Sequence, residues 1–353
     1  SVAEGGSVVP PLVLGRQVDS SPEKSSPPPR LPKRKPTIEE LAGSSDEHAE
    51  EAGNDLVPRW QIWPGNNRFF FEGRFMTGPE PSMLICTSSL LVVPVIVFIV
   101  LVLPSMGDRG APSWLPVPVP VLALPAGLLL VFSMVCLFRA SFTEPGILPR
   151  KDPKRGFAGQ GVKPQRQDQI INGVKVSLKW CSTCEIYRPP RSKHCAFCNN
   201  CVIKFDHHCP WVSNCVGGRN YKFFFCFVFS TFVLALYVFS VLVVIAIHVG
   251  FFKGLFDPYI FTRAATYPAL LVLLVFIGCL LFPLGNLMAF HCYLITKNMT
   301  TNEEITGVYP GKNPFSLGYT RNWKQFLQQF QEPTLVEPGV LVPAPGRKES
   351  ITG

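Results

Sequence analysis

The chain has 353 residues, 47% hydrophobic and 16% charged, with a net charge of +9. A positive mean hydropathy of +0.23 with so few charges excludes an ordinary soluble domain and points to a membrane protein. Seven of the 12 cysteines lie from Cys181 to Cys215 beside basic sequence, which reads as metal binding in a reducing compartment and excludes a disulfide framework.

Ser1 stands where an initiator Met would, so the chain reads as a fragment or a processed form, and its polar, Pro-rich start is not a signal peptide. Residues 1–56 are rich in Pro, Ser, Glu and Gly and lack apolar periodicity, the composition of a disordered cytosolic tail. Residues 57–82 mix Trp60, Trp63, Phe69, Phe70, Phe71 and Phe75 with Arg59, Arg68 and Arg74. That mix suits a membrane-interface segment leading into a span; a short amphipathic piece packed on a cytosolic domain is the alternative.

Four apolar runs follow, at 83–103, 117–138, 223–249 and 269–296. Each approaches or exceeds the roughly 20 residues that cross a bilayer as a helix. Pro94, Pro118, Pro120, Pro125 and Pro283 interrupt them, which membrane helices tolerate when neighbours satisfy the freed carbonyls. Pro116, Pro118 and Pro120 are expected to delay the helical start of the second run. The predicted fold is therefore an α-helical integral membrane protein, with transmembrane helices 1 and 2 over 83–138 and 3 and 4 over 223–296.

Loop charge sets the orientation. Segment 139–222, between the second and third runs, holds 15 Lys and Arg against 5 Asp and Glu. The loops 104–116 and 250–268 together hold 3 against 2. The positive-inside rule places 139–222 in the cytosol, and with four spans both termini as well. Residues 297–330 form a cytosolic C-terminal region, and 331–353 read as a second disordered tail.

Within 139–222 the ligand types run Cys181, Cys184, His194, Cys195, Cys198, Cys201, His208, Cys215. C-x-x-C pairs place two thiolates on one tight turn, the usual half-site for zinc, and eight ligands suffice for two tetrahedral structural ions. Neighbouring side chains of an extended segment point apart, so His194 and Cys195 suit different metals. This favours an interleaved assignment: Cys181, Cys184, His194 and Cys201 on one zinc, Cys195, Cys198, His208 and Cys215 on the other. Spacing alone leaves the partition open. Little in this stretch could build a large apolar core, so metal is expected to supply much of its folding energy.

Cys209 is left over, in Phe205-Asp206-His207-His208-Cys209-Pro210-Trp211. A cysteine beside a histidine is a candidate nucleophile, because imidazole can take the thiol proton and the imidazolium stabilises the thiolate. An adjacent carboxylate can orient that imidazole, as in a hydrolytic triad. The alternative is a ninth, redundant metal ligand. Cys209 stands shortly before the third run, behind the interfacial bridge Asn220-Tyr221-Lys222-Phe223-Phe224-Phe225. A nucleophile there suits acyl-CoA, whose chain is apolar, whose thioester is reactive and whose head is polyanionic. Each buried methylene contributes about 0.8 kcal/mol, so a long chain needs an intramembrane slot.

These residues resemble the DHHC-type palmitoyltransferase family. Its signature C-x2-C-x9-H-C-x2-C-x2-C-x4-D-H-H-C-x5-C runs without a gap from Cys181 to Cys215. Thr143-Glu144-Pro145-Gly146 follows the second span where the family usually has Asp-Pro-Gly, a conservative departure. Thr300-Thr301-Asn302-Glu303 looks like its T-T-x-E element, and Asn313-Pro314, Gly318, Asn322 and Phe326 resemble its C-terminal motif. The resemblance covers roughly residues 57–330. It implies the interleaved two-zinc assignment, with His208 a ligand and Cys209 free, and a tapered cavity between four helices for the acyl chain. It implies an acyl-enzyme on Cys209, formed from palmitoyl-CoA or another long-chain acyl-CoA with His207 as base and Asp206 orienting it, and passed to cysteine thiols of cytosolic or membrane proteins. Thr300, Thr301, Glu303 and Asn322 are then structural couplers to the zinc domain. Arg59-Trp60 to Gly73-Arg74, Ile171-Asn172-Gly173 and Arg188-Pro189-Pro190-Arg191 look like the subgroup that palmitoylates Ras-type GTPases, whose members can depend on a small accessory subunit. Residence is expected in an endomembrane, Golgi or endoplasmic reticulum, with the plasma membrane as the alternative.

Three other functions compete. A membrane-anchored zinc scaffold needs eight ligands and not a ninth cysteine flanked by Asp-His. A transporter needs ionisable groups inside the spans; His248 and His291 lie near ends and read as interfacial. Zinc knuckles can bind nucleic acid, but the spans argue against a nucleic-acid partner.

Overall fold

The computed structural model describes residues 56–104, 118–151, 167–252, 266–328 and 333–343, without the side chains of 248–252. Of the tail expected over 1–56, residues 1–55 lie outside the described residues, as do most of the two short loops between spans and the side chain of His248; Leu56 opens a strand.

Four helices are long and apolar enough to cross a membrane. They are α1 (Pro81–Val97), α2 (Val119–Phe142), α3 (Tyr221–Phe252) and α4 (Thr266–Lys297). Beyond Pro94, α1 widens into a π turn over Phe98–Val102, where Leu103 N–H donates to Phe98 O at 2.9 Å. Pro120 sits in the first turn of α2, where its missing N–H costs nothing. That helix runs past the end of the apolar run at 138, because Arg139 breaks the hydropathy but not the helix. Its guanidinium lies over the Phe223 ring at 4.6 Å.

α3 packs against both α2 and α4. Phe98, Leu234, Val238, Leu242, Leu273 and Ile277 fill the seam, all under 7% exposed. Hydroxyls inside the spans are satisfied locally. Thr87, Ser88 and Ser89 bond carbonyls one turn back, and Ser133 donates to Ser230 at 2.8 Å between α2 and α3.

The segment between α2 and α3 folds into short antiparallel pairs. β4 (Gln167–Ile171), β5 (Val174–Cys181) and β6 (Ile186–Arg188) form one sheet; β7 (Lys193–Cys195) pairs with β8 (Asn200–Val202), and β9 (His207–Cys209) with β10 (Asn214–Val216). Residues before α1 form β1 (Leu56–Pro58), a single 3-10 turn, and a hairpin of β2 (Arg68–Phe70) with β3 (Phe75–Thr77). They pack on the Cys-rich segment: Asn66 N–H donates to Cys198 O at 2.9 Å, and Trp63, Phe69 and Met76 join the cluster that holds Cys195, Cys198 and Cys215.

After α4 come α5 (Thr301–Thr306) and α6 (Tyr319–Gln328). The disordered tail expected over 331–353 is corrected at 333–343. There β11 (Leu341–Pro343) pairs antiparallel with β1, and Val336 is 5% exposed among Met76, Ile147 and Phe205. An apolar side chain with a waiting pocket and a strand edge to pair with offset the ordering cost of this Pro-rich segment.

Candidate active site and metal centres

Two asparagines fasten the Cys-rich segment to the membrane bundle. The last carbonyls of a helix have no partner within it. Asn214 Nδ2 donates to Ser141 O at 2.9 Å, and Asn220 Nδ2 to Ala140 O at 2.9 Å, both buried at the end of α2. The turn that follows is held by Glu144, whose carboxylate accepts from the amides of Gly146 and Ile147 and from Arg219 Nη1 at 2.5 Å. Gly146 has φ +107°, and a Cβ there would come within 2.5 Å of Ile203.

The donor atoms of Cys181, Cys184, His194 and Cys201 gather in one place, and those of Cys195, Cys198, His208 and Cys215 in another, all within 4.8 Å of one another in each set. In the first, His194 Nδ1 lies 3.5, 3.5 and 3.7 Å from the sulfurs of Cys181, Cys184 and Cys201. In the second, His208 Nδ1 lies 3.4 and 3.7 Å from those of Cys198 and Cys215. A tetrahedral zinc with bonds of about 2.3 Å to sulfur and 2.0 Å to nitrogen sets a sulfur–nitrogen edge of about 3.5 Å. Each C-x-x-C turn also aims an amide at its first sulfur: Cys184 N–H to Cys181 at 3.5 Å, and Cys198 N–H to Cys195 at 3.4 Å. Within each set the thiols share protons: the hydrogen bond from Cys201 outweighs burial and draws Cys184 down to about 5, and bonds from Cys198 and Cys215 draw Cys195 far below the thiol range, while the same contacts push Cys198, Cys201 and Cys215 up. Both sets fit zinc. The interleaving follows from the hairpins: β7 and β8 pair His194 with Cys201, while β9 and β10 pair His208 with Cys215.

Cys209 belongs to neither set among the described residues. It closes β9 at 5% exposure, in a cluster with Leu84 of α1, Leu137 of α2 and Phe224 and Phe227 of α3. His207 opens the same strand, two residues before it. His207 Nδ1 lies 2.7 Å from Asp206 Oδ2, which leaves Nε2 for the sulfur. Asp206 is 1% exposed. Burial alone would raise its carboxyl, but the bond from His207, the charge of that ring and the Thr301 hydroxyl together hold it below the usual carboxylate range. Burial pushes the His207 ring down, while hydrogen bonds to Asp206 and then Cys209, with their charges, overcome this and raise it to about 9. Such a site can hold a proton taken from a thiol while the cysteine sits among apolar side chains of the helices.

The residues expected to act as couplers take these places, and His291 takes one that was not expected. Thr300 caps α5 in a capping box with Glu303, whose carboxylate grips Arg191 through Nε and Nη2, each at 2.9 Å. Both are coupling roles. Thr301 goes further and binds Asp206 itself, through its amide at 2.8 Å and its hydroxyl at 2.7 Å. Asn322 fastens α6 to the end of α4, donating to Thr296 O at 2.8 Å, and does not reach a metal set. His291, expected at an interface, is 1% exposed inside the bundle. It accepts or donates at 3.1 Å with the Tyr221 hydroxyl, and its ring lies 6.3 Å from that of His207. The one available signal was its place on α4, six residues before the helix ends at Lys297, which put it near an end but not which way it faces.

Residues 174–308 match the family model described as DHHC palmitoyltransferase. Over 299 residues the chain is 36% identical to "Probable protein S-acyltransferase 7" of Arabidopsis thaliana, covering 79% of this chain and 65% of that one. With "Probable protein S-acyltransferase 6" of the same plant it is 37% identical over 288 residues, 78% of this chain and 68% of that one. With "Palmitoyltransferase ZDHHC14" of Homo sapiens it is 36% identical over 284 residues, 74% of this chain but 55% of that one. The chain thus spans little more than half to two thirds of the length of these relatives. Agreement of this extent, on a chain that gathers two Cys3His sets and leaves one cysteine free beside His207 at the end of its membrane helices, means that it belongs to the DHHC palmitoyltransferase family.

Proposed function

We propose that this chain is a protein S-acyltransferase. It moves a long-chain fatty acyl group, palmitoyl in the first instance, from acyl-CoA to cysteine thiols of cytosolic or membrane proteins. The observation that carries this reading is Cys209: it is spared from both metal sets, shares a three-residue strand with a His207 ring held by Asp206, and is set among apolar side chains of three spans.

In the first step His207 Nε2 takes the proton of Cys209, and Asp206 holds the resulting imidazolium. Cys209 Sγ attacks the thioester carbonyl, a new carbon–sulfur bond forms, and the CoA thiolate leaves with the proton returned from His207. In the second, a substrate thiol passes its proton to His207 and attacks the acyl-enzyme, and Cys209 leaves as the thiolate. One thioester replaces another each time, so positioning and thiolate formation are the main demands. Against the effect of burial, chiefly Asp206 raises the proton affinity of His207 to about 9, which strengthens the neutral ring as acceptor of the thiol proton. The acyl chain would lie along Leu84, Leu137, Phe224 and Phe227, each methylene contributing about 0.8 kcal/mol. Zinc, when bound by the two sets, cross-links the short hairpins that carry Cys209.

Segment 139–222, with 15 Lys and Arg against 5 Asp and Glu, favours a cytosolic active site and cytosolic termini, and offers countercharge to the CoA phosphates. Endomembrane residence, with the plasma membrane as the alternative, follows from the family resemblance; Ras-type GTPases as substrates and a small accessory subunit rest on the resemblance of residues 59–74, 171–173 and 188–191 to one subgroup.

Purified protein incubated with a clickable palmitoyl-CoA is expected to label covalently, with hydroxylamine releasing the label. Cys209→Ser is expected to keep its zinc and lose the label. Equal labelling of that variant with metal intact would remove Cys209 from the chemistry.

A further inference from the structure

We propose that the β2–β3 hairpin is a lipid-facing finger that seats the metal-binding segment on the membrane surface. The argument starts on α2. Leu128, Val131, Phe132, Val135 and Phe138 are 42–63% exposed and recur at helical spacing, so they form one stripe. On a helix long and apolar enough to span a membrane, such a stripe faces lipid.

The stripe continues into the hairpin through a chain of rings. Phe138 stacks on Phe142 with centroids 6.1 Å apart. Phe142 meets Phe75 edge-on at 5.5 Å and Phe70 at 6.3 Å, and Phe75 meets Phe71 at 5.7 Å. Phe70, Phe71 and Phe75 remain 38%, 76% and 46% exposed. The tip is built for a turn: Phe71, Glu72 and Gly73 have φ of +50°, +56° and +83°. A polar residue or glycine suits such a tip in water. An exposed phenylalanine held in the left-handed region gains from this placement if the surroundings are apolar.

Charge agrees with a phospholipid boundary. Exposed Arg68 and Arg74 flank the tip, and Arg139 lies at the same end of α2 over Phe223. Arginines beside aromatic rings mark the depth of headgroups. The finger is also stiffly joined to the candidate active site. Gly78 N–H, just past β3, donates to Ser213 O at 2.6 Å, in the turn between β9 and β10. Seating the finger therefore sets the depth of Cys209.

The test places p-benzoylphenylalanine at the position of Phe71, Phe75 or Ile170 in the full chain, reconstituted in phosphatidylcholine–phosphatidylserine vesicles, with zinc content as the check on folding. Ile170 is as exposed as Phe71, at 76%, but lies on the β4–β5 hairpin, outside the ring chain. Illumination is expected to add a phospholipid mass at positions 71 and 75 and little or none at 170. Equal lipid addition at 170, or cross-links to protein alone at 71 and 75, would overturn the proposal. The two finger positions report separately, so a variant that loses its zinc leaves the other to decide.

Discussion

Thr301 holds Asp206 with both of its polar groups, the amide on Oδ1 at 2.8 Å and the hydroxyl on Oδ2 at 2.7 Å. His207 takes the same Oδ2 from the other side, at 2.7 Å. The first turn after the last membrane helix therefore fixes the carboxylate that orients the imidazole, and through it the ring nitrogen presented to Cys209.

Thr301→Val keeps the amide bond and removes the hydroxyl. A hydrogen bond to a charged group contributes about 1.5–3 kcal/mol, and part of it is recovered by reorientation of Asp206, so acyl-enzyme formation is expected to slow about tenfold. Single-turnover labelling with palmitoyl-CoA measures this. Thr301→Ser restores the hydroxyl and should restore the rate, while zinc content stays constant in both. An unchanged rate in the valine variant would show that the amide alone orients Asp206.

Arg191 and Glu303 form a fork with side chains 9% and 3% exposed. Arg191 also donates to Asn298, at 3.0 Å to Oδ1 and 3.1 Å to the carbonyl, and lies over the Phe315 ring at 4.7 Å. Arg191→Met strands a buried carboxylate, for which losses of about 3–5 kcal/mol are usual. A lower melting temperature and lower yield are expected, read by size-exclusion chromatography in detergent. Arg191→Lys keeps the charge but not the fork and should fall between.

The ring of His207 is raised in the folded protein to about 9. Its protonated form therefore contributes stability that is complete below its ordinary value near 6.5 and is lost as pH rises through about 9. Wild type is expected to lose melting temperature on going from neutral pH to above pH 9, and His207→Gln to lose less over the same range. Parallel curves for the two proteins would place the titration elsewhere.

Cys198→Ser removes one sulfur from the second metal set. Zinc measured by elemental analysis is expected to fall by about half, because the first set keeps its four donors. The hairpin β9–β10 carries His208 and Cys215 of that set as well as Cys209, so covalent labelling should fall with the metal. Full zinc content in this variant would dismiss the ligand set.

Much of the fold was legible because the relevant signals are local. A membrane helix is declared by the length of its apolar run, and a C-x-x-C turn brings two sulfurs together whatever surrounds it. Boundaries moved where a polar residue still had a membrane-side partner, as Arg139 has in Phe223. The last segment was misread because composition says only that a Pro-rich stretch lacks its own core. Val336 uses a core built by Met76 and Ile147, and β11 uses the free edge of β1. His291 was placed near a span end correctly in sequence but not in direction. The choice between lipid and interior is made by packing, here by Tyr221 and Phe224.

The sequence by itself determined the four spans, the Cys-rich segment between the second and third, and a cysteine in excess of eight metal donors. Those follow from short-range geometry and from hydrophobicity, which act along a few consecutive residues. Tertiary structure alone decided what stands around that cysteine: Thr301 on Asp206 across 95 residues, Glu303 on Arg191 across 112, and Tyr221 with His291 across 70. Pairings at such separations depend on how the helices pack and where their ends meet, and no local pattern encodes that.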